Sequence, residues 1–231
     1  MFGLNPVVSQ HLDPTGALKV VDVFYTLQGE GPYSGMTSVF VRLADCNLRC
    51  TMCDTDFTTG ARMVEVDELV RQVRTLAGTK TRLVVITGGE PMLQNIVPFC
   101  KLLAKYNFRV QIETAGTVWV PLLEGCDVAF VCSPKTGKVH AEIQRRCTSF
   151  KYVVGADDKV SDAGAIIASY QRGSKPMTLA QPANRHATVW VQPRDDYVPE
   201  KNAANIAFAK DLCLKYGYRM SVQLHKIVGV A

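Results

Sequence analysis

Six short apolar runs alternate with longer stretches of helical period, and this alternation constrains the fold more than any other feature of the 231-residue chain. The runs are Thr37 to Leu43, Arg82 to Thr87, Arg109 to Glu113, Asp127 to Cys132, Phe150 to Val154 and Thr188 to Gln192. Strands separated by crossovers of helical length pair in parallel, so an α/β chain with a mostly parallel sheet is expected. The chain is short for a closed eight-stranded barrel. Six units fit a partial, open (β/α)6-type TIM barrel better, with polar residues just beyond the strand ends placed for chemistry.

Between the first two runs, Asp67 is a candidate helix cap, Leu69, Val70, Val73, Leu76 and Ala77 share one face, and Gly78 is placed to end the helix. Ile96, Val97, Cys100, Leu103 and Tyr106 repeat the pattern, and Ile206, Ala209, Lys210 and Cys213 sketch a weaker one. A further helix is expected over Ala163 to Tyr170. The near-twofold spacing of Met220, Val222, Leu224 and Ile227 reads as an extended strand and tail over Tyr218 to Val230. Gly173 to Asn184 reads as one long loop, which leaves a single domain over 1–231.

Hydrophobic residues make up 47% of the chain without any apolar run of about 18 residues, so no membrane span is expected. The formal charge of +5 is scattered and includes no basic tract. It supports nucleic-acid binding only weakly, and an anionic small molecule drawn into a positive cleft explains it equally well. Met1 to Val20 lacks the layout of a secretory signal, so a reducing cytoplasm is expected. In that compartment the eight cysteines read as ligands, reactive groups or buried thiols, not disulfide partners.

Three of them stand close together. Cys46, Cys50 and Cys53 have the spacing C-x3-C-x2-C on a loop after the first run. Three thiolates can hold a 4Fe-4S cube and leave one iron open, whereas electron-transfer clusters usually take four cysteines. A zinc site would want a fourth Cys or His nearby, and His11, His140, His186 and His225 are all distant in sequence. Cys100, Cys126, Cys132, Cys147 and Cys213 read as core or incidental thiols.

The cysteine spacing resembles that of the radical S-adenosylmethionine (SAM) superfamily. The resemblance implies that the open iron chelates SAM and that an electron from the cluster splits it to a 5′-deoxyadenosyl radical. A second stretch, Thr87-Gly88-Gly89-Glu90-Pro91, resembles the superfamily's SAM-binding turn, which assigns Gly88, Gly89 and Glu90 to the cofactor. Glycines at a strand end also let a ligand approach the backbone closely, although such turns are common in loops. Met52 departs from the superfamily, which often has an aromatic residue before the last cysteine; methionine can fill the same apolar space.

The flanks narrow the resemblance. Phe24 to Pro32, Phe40 to Leu43, Asp54-Thr55 and Gln223 to Lys226 together resemble the 7-carboxy-7-deazaguanine synthase family of queuosine biosynthesis, over nearly the whole chain. That resemblance implies conversion of 6-carboxy-5,6,7,8-tetrahydropterin to 7-carboxy-7-deazaguanine with loss of ammonia, assisted by Mg2+. It assigns Leu27, Gln28, Gly29, Arg42, Thr114, His225 and the C-terminal Ala231 to the pterin substrate. It gives Asp54, Gly116, Ser133, Pro134, Lys135, Gln192 and Pro193 to SAM, and Thr55 to Mg2+, which prefers oxygen. A homodimer and a flavodoxin-type reductant are also implied.

Plainer readings exist for single residues. Arg42 fits the outward face of a strand as well as a carboxylate-binding fork, and His225 in an apolar tail fits a structural role. Two other functions share part of the pattern. A radical SAM activating enzyme that acts on a partner protein has the same cysteine spacing but needs no Mg2+ site. A non-catalytic metal protein that binds RNA would need a fourth ligand and a basic or aromatic binding motif, neither of which is seen.

Overall fold

The computed structural model describes residues 5–230, apart from the side chains of residues 122 and 124. All six expected runs are strands: β2 (Thr37–Leu43), β4 (Leu83–Gly88), β5 (Arg109–Thr114), β6 (Val128–Cys132), β7 (Ser149–Val154) and β11 (Thr188–Pro193). Neighbours pair in parallel in the order β2, β4, β5, β6, β7, β11.

Three more strands extend this sheet. β12 (Arg219–Met220) adds in parallel to β11, while β1 (Leu18–Leu27) pairs antiparallel with β2 and with β3 (Arg62–Val64). The two ends of the nine-stranded sheet, β12 and β3, do not pair, so the barrel is open.

Helices cover the outer face. α1 (Val66–Ala77) buries Leu69, Val70, Val73 and Ala77 of the face expected from its period, whereas Leu76 is exposed. Its cap position is Glu65, with Asp67 inside the first turn, and Gly78 ends it at a φ of 51°. α2 (Val97–Lys105), α3 (Ala141–Arg146) and α4 (Pro199–Tyr216) follow β4, β6 and β11. Buried Leu69, Val73, Phe99, Leu103, Ile143 and Leu212 join Val41, Ile86, Ile112 and Phe150 of the strands in one core.

Two expectations are corrected. Ala163 to Tyr170 is no helix: β9 (Ile166–Ala168) lies between β8 (Lys159–Val160) and β10 (Met177–Thr178) in a small antiparallel sheet. Ile166, Ala168 and Tyr170 are buried while Ile167 and Ser169 are not, a period of two, and Gly164 takes a φ of 88° that breaks a helix. The last segment is extended only over Arg219–Met220 and then turns into the short helix α5 (Leu224–Val228), ended by Gly229 at a φ of 70°.

Candidate active site

The C-terminal ends of the parallel strands surround a cavity of about 390 Å³. Alternation along each strand decides which side chains reach it. On β2, Val39, Val41 and Leu43 pack in the core while Phe40 and Arg42 line the cavity; on β7, Phe150, Tyr152 and Val154 pack inward while Lys151 and Val153 line it. Thr87, Glu113 and Gln192 continue the polar lining.

The cysteine loop leaves β2 through Ala44 and Asp45, whose φ is 71° and whose carboxylate meets the Lys19 ammonium at 3.0 Å. It rests on the backbone of Gly88 and Gly89. A Cβ on Gly88, where φ is 122°, would strike the Leu43 carbonyl oxygen. One on Gly89 would strike the Asp45 carbonyl oxygen and lie 3.2 Å from the Cys46 Cβ. The Gly89 N–H donates to the Leu43 carbonyl at 3.1 Å and the Glu90 N–H to that of Asp45 at 2.9 Å. Both glycines are therefore required by contact between two stretches of the chain itself.

Cys46, Cys50 and Cys53 are free, half-buried and directed at the cavity. Burial pushes the Cys46 thiol up to about 12 and raises that of Cys53 as well. Thiolates there need a cationic partner, which iron supplies on binding. Among the described residues no group of three or more His, Cys, Asp or Glu gathers around a single ion, as a mononuclear zinc site would require. A cube takes each thiolate on a different iron, so the three cysteines suit it better.

Glu90 is fully buried behind the cavity, with its carboxylate committed to the protein. One oxygen accepts from the Thr114 hydroxyl at 2.8 Å and the Met92 N–H at 3.1 Å, and the other from the Ala115 N–H at 2.8 Å. Burial raises its carboxyl above the ordinary range despite these bonds. Thr114 in turn accepts from the Gly116 N–H at 2.8 Å, so Glu90 shapes the turn after β5.

A second network crosses the cavity. The Glu30 carboxylate accepts from Gln192 and Gln223, each at 3.0 Å, and is paired with the Lys151 ammonium. Burial alone would push the Glu30 carboxyl up, but the charge and hydrogen bond of Lys151, the bond from Gln223 and the charge of His225 bring it down to about 2. Glu113 accepts from Gln111 at 3.0 Å, Gln28 at 3.1 Å and Thr87 at 3.3 Å. Arg42 stands apart. Its guanidinium lies 5.2 Å from the centre of the Phe24 ring, and its Nε is buried with no hydrogen-bond partner.

The chain's last segment lies at the cavity mouth. Leu224 N–H donates to the Gly29 carbonyl at 3.1 Å, Gln223 reaches Asp54 at 3.4 Å, and Lys226 meets Asp195 at 2.8 Å. Gly29 has no room for a Cβ, which would strike the His225 ring. Lys135 donates to the Ser133 carbonyl at 2.8 Å and to its hydroxyl, and burial lowers its pKa.

Of the residues singled out from sequence, the cavity gathers Cys46, Cys50, Cys53, Asp54, Thr55, Gly88 and Gly89 on one side. Gln28, Arg42, Thr114, Ser133, Lys135, Gln192, Pro193 and His225 line the rest. Leu27, Gly29, Glu90, Gly116 and Pro134 support it from behind or beside, and Ala231 lies outside the described residues. Glu30, Glu113, Gln223 and Lys226 line it too, although the sequence reading gives them no role. For Glu113 and Lys151 the signal is alternation, which puts them on the polar face that Arg42 shares.

Residues 41–164 match the radical SAM superfamily. A 7-carboxy-7-deazaguanine synthase of Rhodospirillum rubrum is 41% identical over 236 residues, covering the whole of both chains. The chain belongs to the 7-carboxy-7-deazaguanine synthase family. Another synthase, from Rickettsia prowazekii, is 35% identical over 240 residues, spanning all of this chain and 96% of its own. The crystal structure of QueE from Escherichia coli shares the fold, with a TM-score of 0.66 at 24% identity over 90% of this chain and 95% of that one. As a radical SAM member, this 7-carboxy-7-deazaguanine synthase homologue is an enzyme that works with a 4Fe-4S cluster and SAM. Among the described residues no helix is long and apolar enough to cross a membrane.

Proposed function

We propose that the cavity converts 6-carboxy-5,6,7,8-tetrahydropterin to 7-carboxy-7-deazaguanine with loss of ammonia, on the path to queuosine and other 7-deazapurines. One observation carries this reading: the three thiols share a cavity with Arg42, a guanidinium whose buried Nε has no partner in the protein. An unpaired buried donor costs stability unless something fills the place, and a planar guanidinium fork suits a carboxylate.

Cys46, Cys50 and Cys53 would hold the 4Fe-4S cluster, which with SAM bound would supply the radical chemistry for hydrogen abstraction from the substrate. Asp54, Gly88, Gly89, Ser133, Gln192 and Pro193 bind SAM, with Lys135 beside Ser133. Glu90, Gly116 and Pro134 act on SAM through the turns they shape. Arg42 takes the pterin carboxylate, Gln28 and Thr114 its ring edge, and Leu27 and Gly29 offer backbone groups. His225 and Ala231 bring the chain's end to the substrate, and the Thr55 hydroxyl gives Mg2+ the oxygen it favours.

The enzyme acts as one domain over 1–231 in the cytoplasm, as a homodimer that takes electrons from a flavodoxin-type protein. Ile206 and Leu214 of α4 are 49% and 78% exposed, which fits a face covered by a second copy. Two measurements test these assignments. Anaerobic reconstitution should yield about four irons and four sulfides per chain, against one zinc for the non-catalytic alternative. Omitting Mg2+ should then slow formation of the deazapurine while SAM cleavage continues. A protein that fills with zinc, or turns over equally without Mg2+, would refute the corresponding assignment.

A further inference from the structure

Gln171 touches the cysteine loop from outside the cavity, in a shallow groove with Val7, Asn47, Leu48, Arg49 and Arg172. Its side chain joins two points of that loop. The Oε1 atom accepts from the Arg49 backbone N–H at 3.0 Å, and Nε2 donates to the Cys50 sulfur at 3.1 Å. A backbone N–H can only donate, so Arg49 fixes which end of the amide faces it. The N–H end is left for the sulfur.

The neighbouring backbone holds this contact in register. Thr51 N–H donates to the Tyr170 carbonyl at 2.8 Å, Arg172 N–H to the Arg49 carbonyl at 3.2 Å, and Cys50 and Gln171 form an antiparallel bridge. Tyr170 anchors the segment: it is 3% exposed, and its hydroxyl donates to the Val153 carbonyl and meets Asp158 at 3.3 Å. The small sheet that replaces an expected helix thus delivers one amide to one cysteine.

We propose that Gln171 is a positioning residue for the cluster: its amide N–H donates to the Cys50 thiolate and raises the cluster's reduction potential, while its carbonyl fixes the loop that presents that thiolate. An electron entering the cluster adds negative charge that spreads onto the ligand sulfurs. A donor at one of those sulfurs stabilises the reduced form more than the oxidised form, so reduction becomes easier. The inference rests on Cys50 being a cluster ligand.

Replacing Gln171 by leucine keeps the size and removes both bonds, while the backbone bridges remain to hold the loop. The expected result for the reconstituted Gln171→Leu enzyme is full iron content with a midpoint potential more negative than wild type. At a reductant poise that half-reduces the wild-type cluster, the reduced fraction should fall several-fold. An intact cluster with an unmoved potential would overturn the proposal. If the variant loads little iron, the wild-type holoenzyme decides. With glutamine side-chain amides labelled with 15N and no SAM added, pulsed EPR of the reduced cluster should show a coupled 15N, and its absence would overturn the proposal. A wild-type chain that binds no iron would refute the ligand assignment itself, and this inference with it.

Discussion

Lys151 on β7 reaches across to Glu30, 121 residues earlier in the chain, and the two form an ion pair whose side chains are 7% and 14% exposed. Removing one partner strands the other as a buried charge. Glu30→Gln should therefore cost about 3 kcal/mol at neutral pH, and the double variant Glu30→Gln with Lys151→Met less than the two single losses added. Urea unfolding measures both.

The pair also sets a pH window. Glu30 is held down at about 2 from an ordinary 4.5, so its contribution is complete above about 4.5 and is lost as pH falls through about 2. The stability gap between wild type and Glu30→Gln should be full at pH 7 and close between those two values. A gap that stayed constant down to pH 3 would mean that the carboxylate is not held by the lysine.

Arg42→Met should lower kcat/KM for the carboxylated pterin by roughly 10- to 100-fold, the worth of one charge-assisted hydrogen-bonded pair. Arg42→Lys should recover only part, because an ammonium cannot present the same fork. Steady-state kinetics on substrate with and without its carboxylate would show whether the loss follows that group.

Gly89→Ala should abolish cluster loading. The added methyl meets the backbone oxygen of Asp45 and crowds the Cys46 Cβ, and backbone atoms cannot step aside as a flexible side chain would. Iron content and the visible absorption of the reconstituted variant measure this. Normal loading would show that the loop has freedom the packing denies it.

Gly29→Ala should raise KM while changing stability by less than about 1 kcal/mol. Its methyl would displace His225 and with it α5, a helix that buries none of its own residues in the core. Substrate titration alongside thermal unfolding separates the two effects.

Much of this was legible in the sequence wherever local chemistry decides. The six parallel strands follow from β-rich runs, and the cysteine loop, Gly88-Gly89 and Arg42 follow from short motifs. What escaped depends on tertiary pairing. β1 carries Val20, Val23, Phe24 and Tyr25, ordinary strand residues, yet its place is set by antiparallel pairing with β2. Glu30 gains its role only because Lys151, Gln192 and Gln223 converge on it from three later segments.

Two misreadings have one cause. Ala163 to Tyr170 and Met220 to Ile227 are short apolar stretches in which helical and twofold spacing overlap. Gly164 and the buried alternation of Ile166, Ala168 and Tyr170 resolve the first as strand. The second curls because Leu224 bonds to Gly29 and Gln223 to Glu30, tertiary contacts that no local pattern announces.

The most direct test is mass analysis of the reduced, reconstituted protein incubated without oxygen with SAM, Mg2+ and 6-carboxy-5,6,7,8-tetrahydropterin. The expected result is 7-carboxy-7-deazaguanine together with 5′-deoxyadenosine, both absent in Cys50→Ala. Formation of 5′-deoxyadenosine with no deazapurine would contradict the assigned substrate, and activity surviving in Cys50→Ala would contradict the assigned cluster.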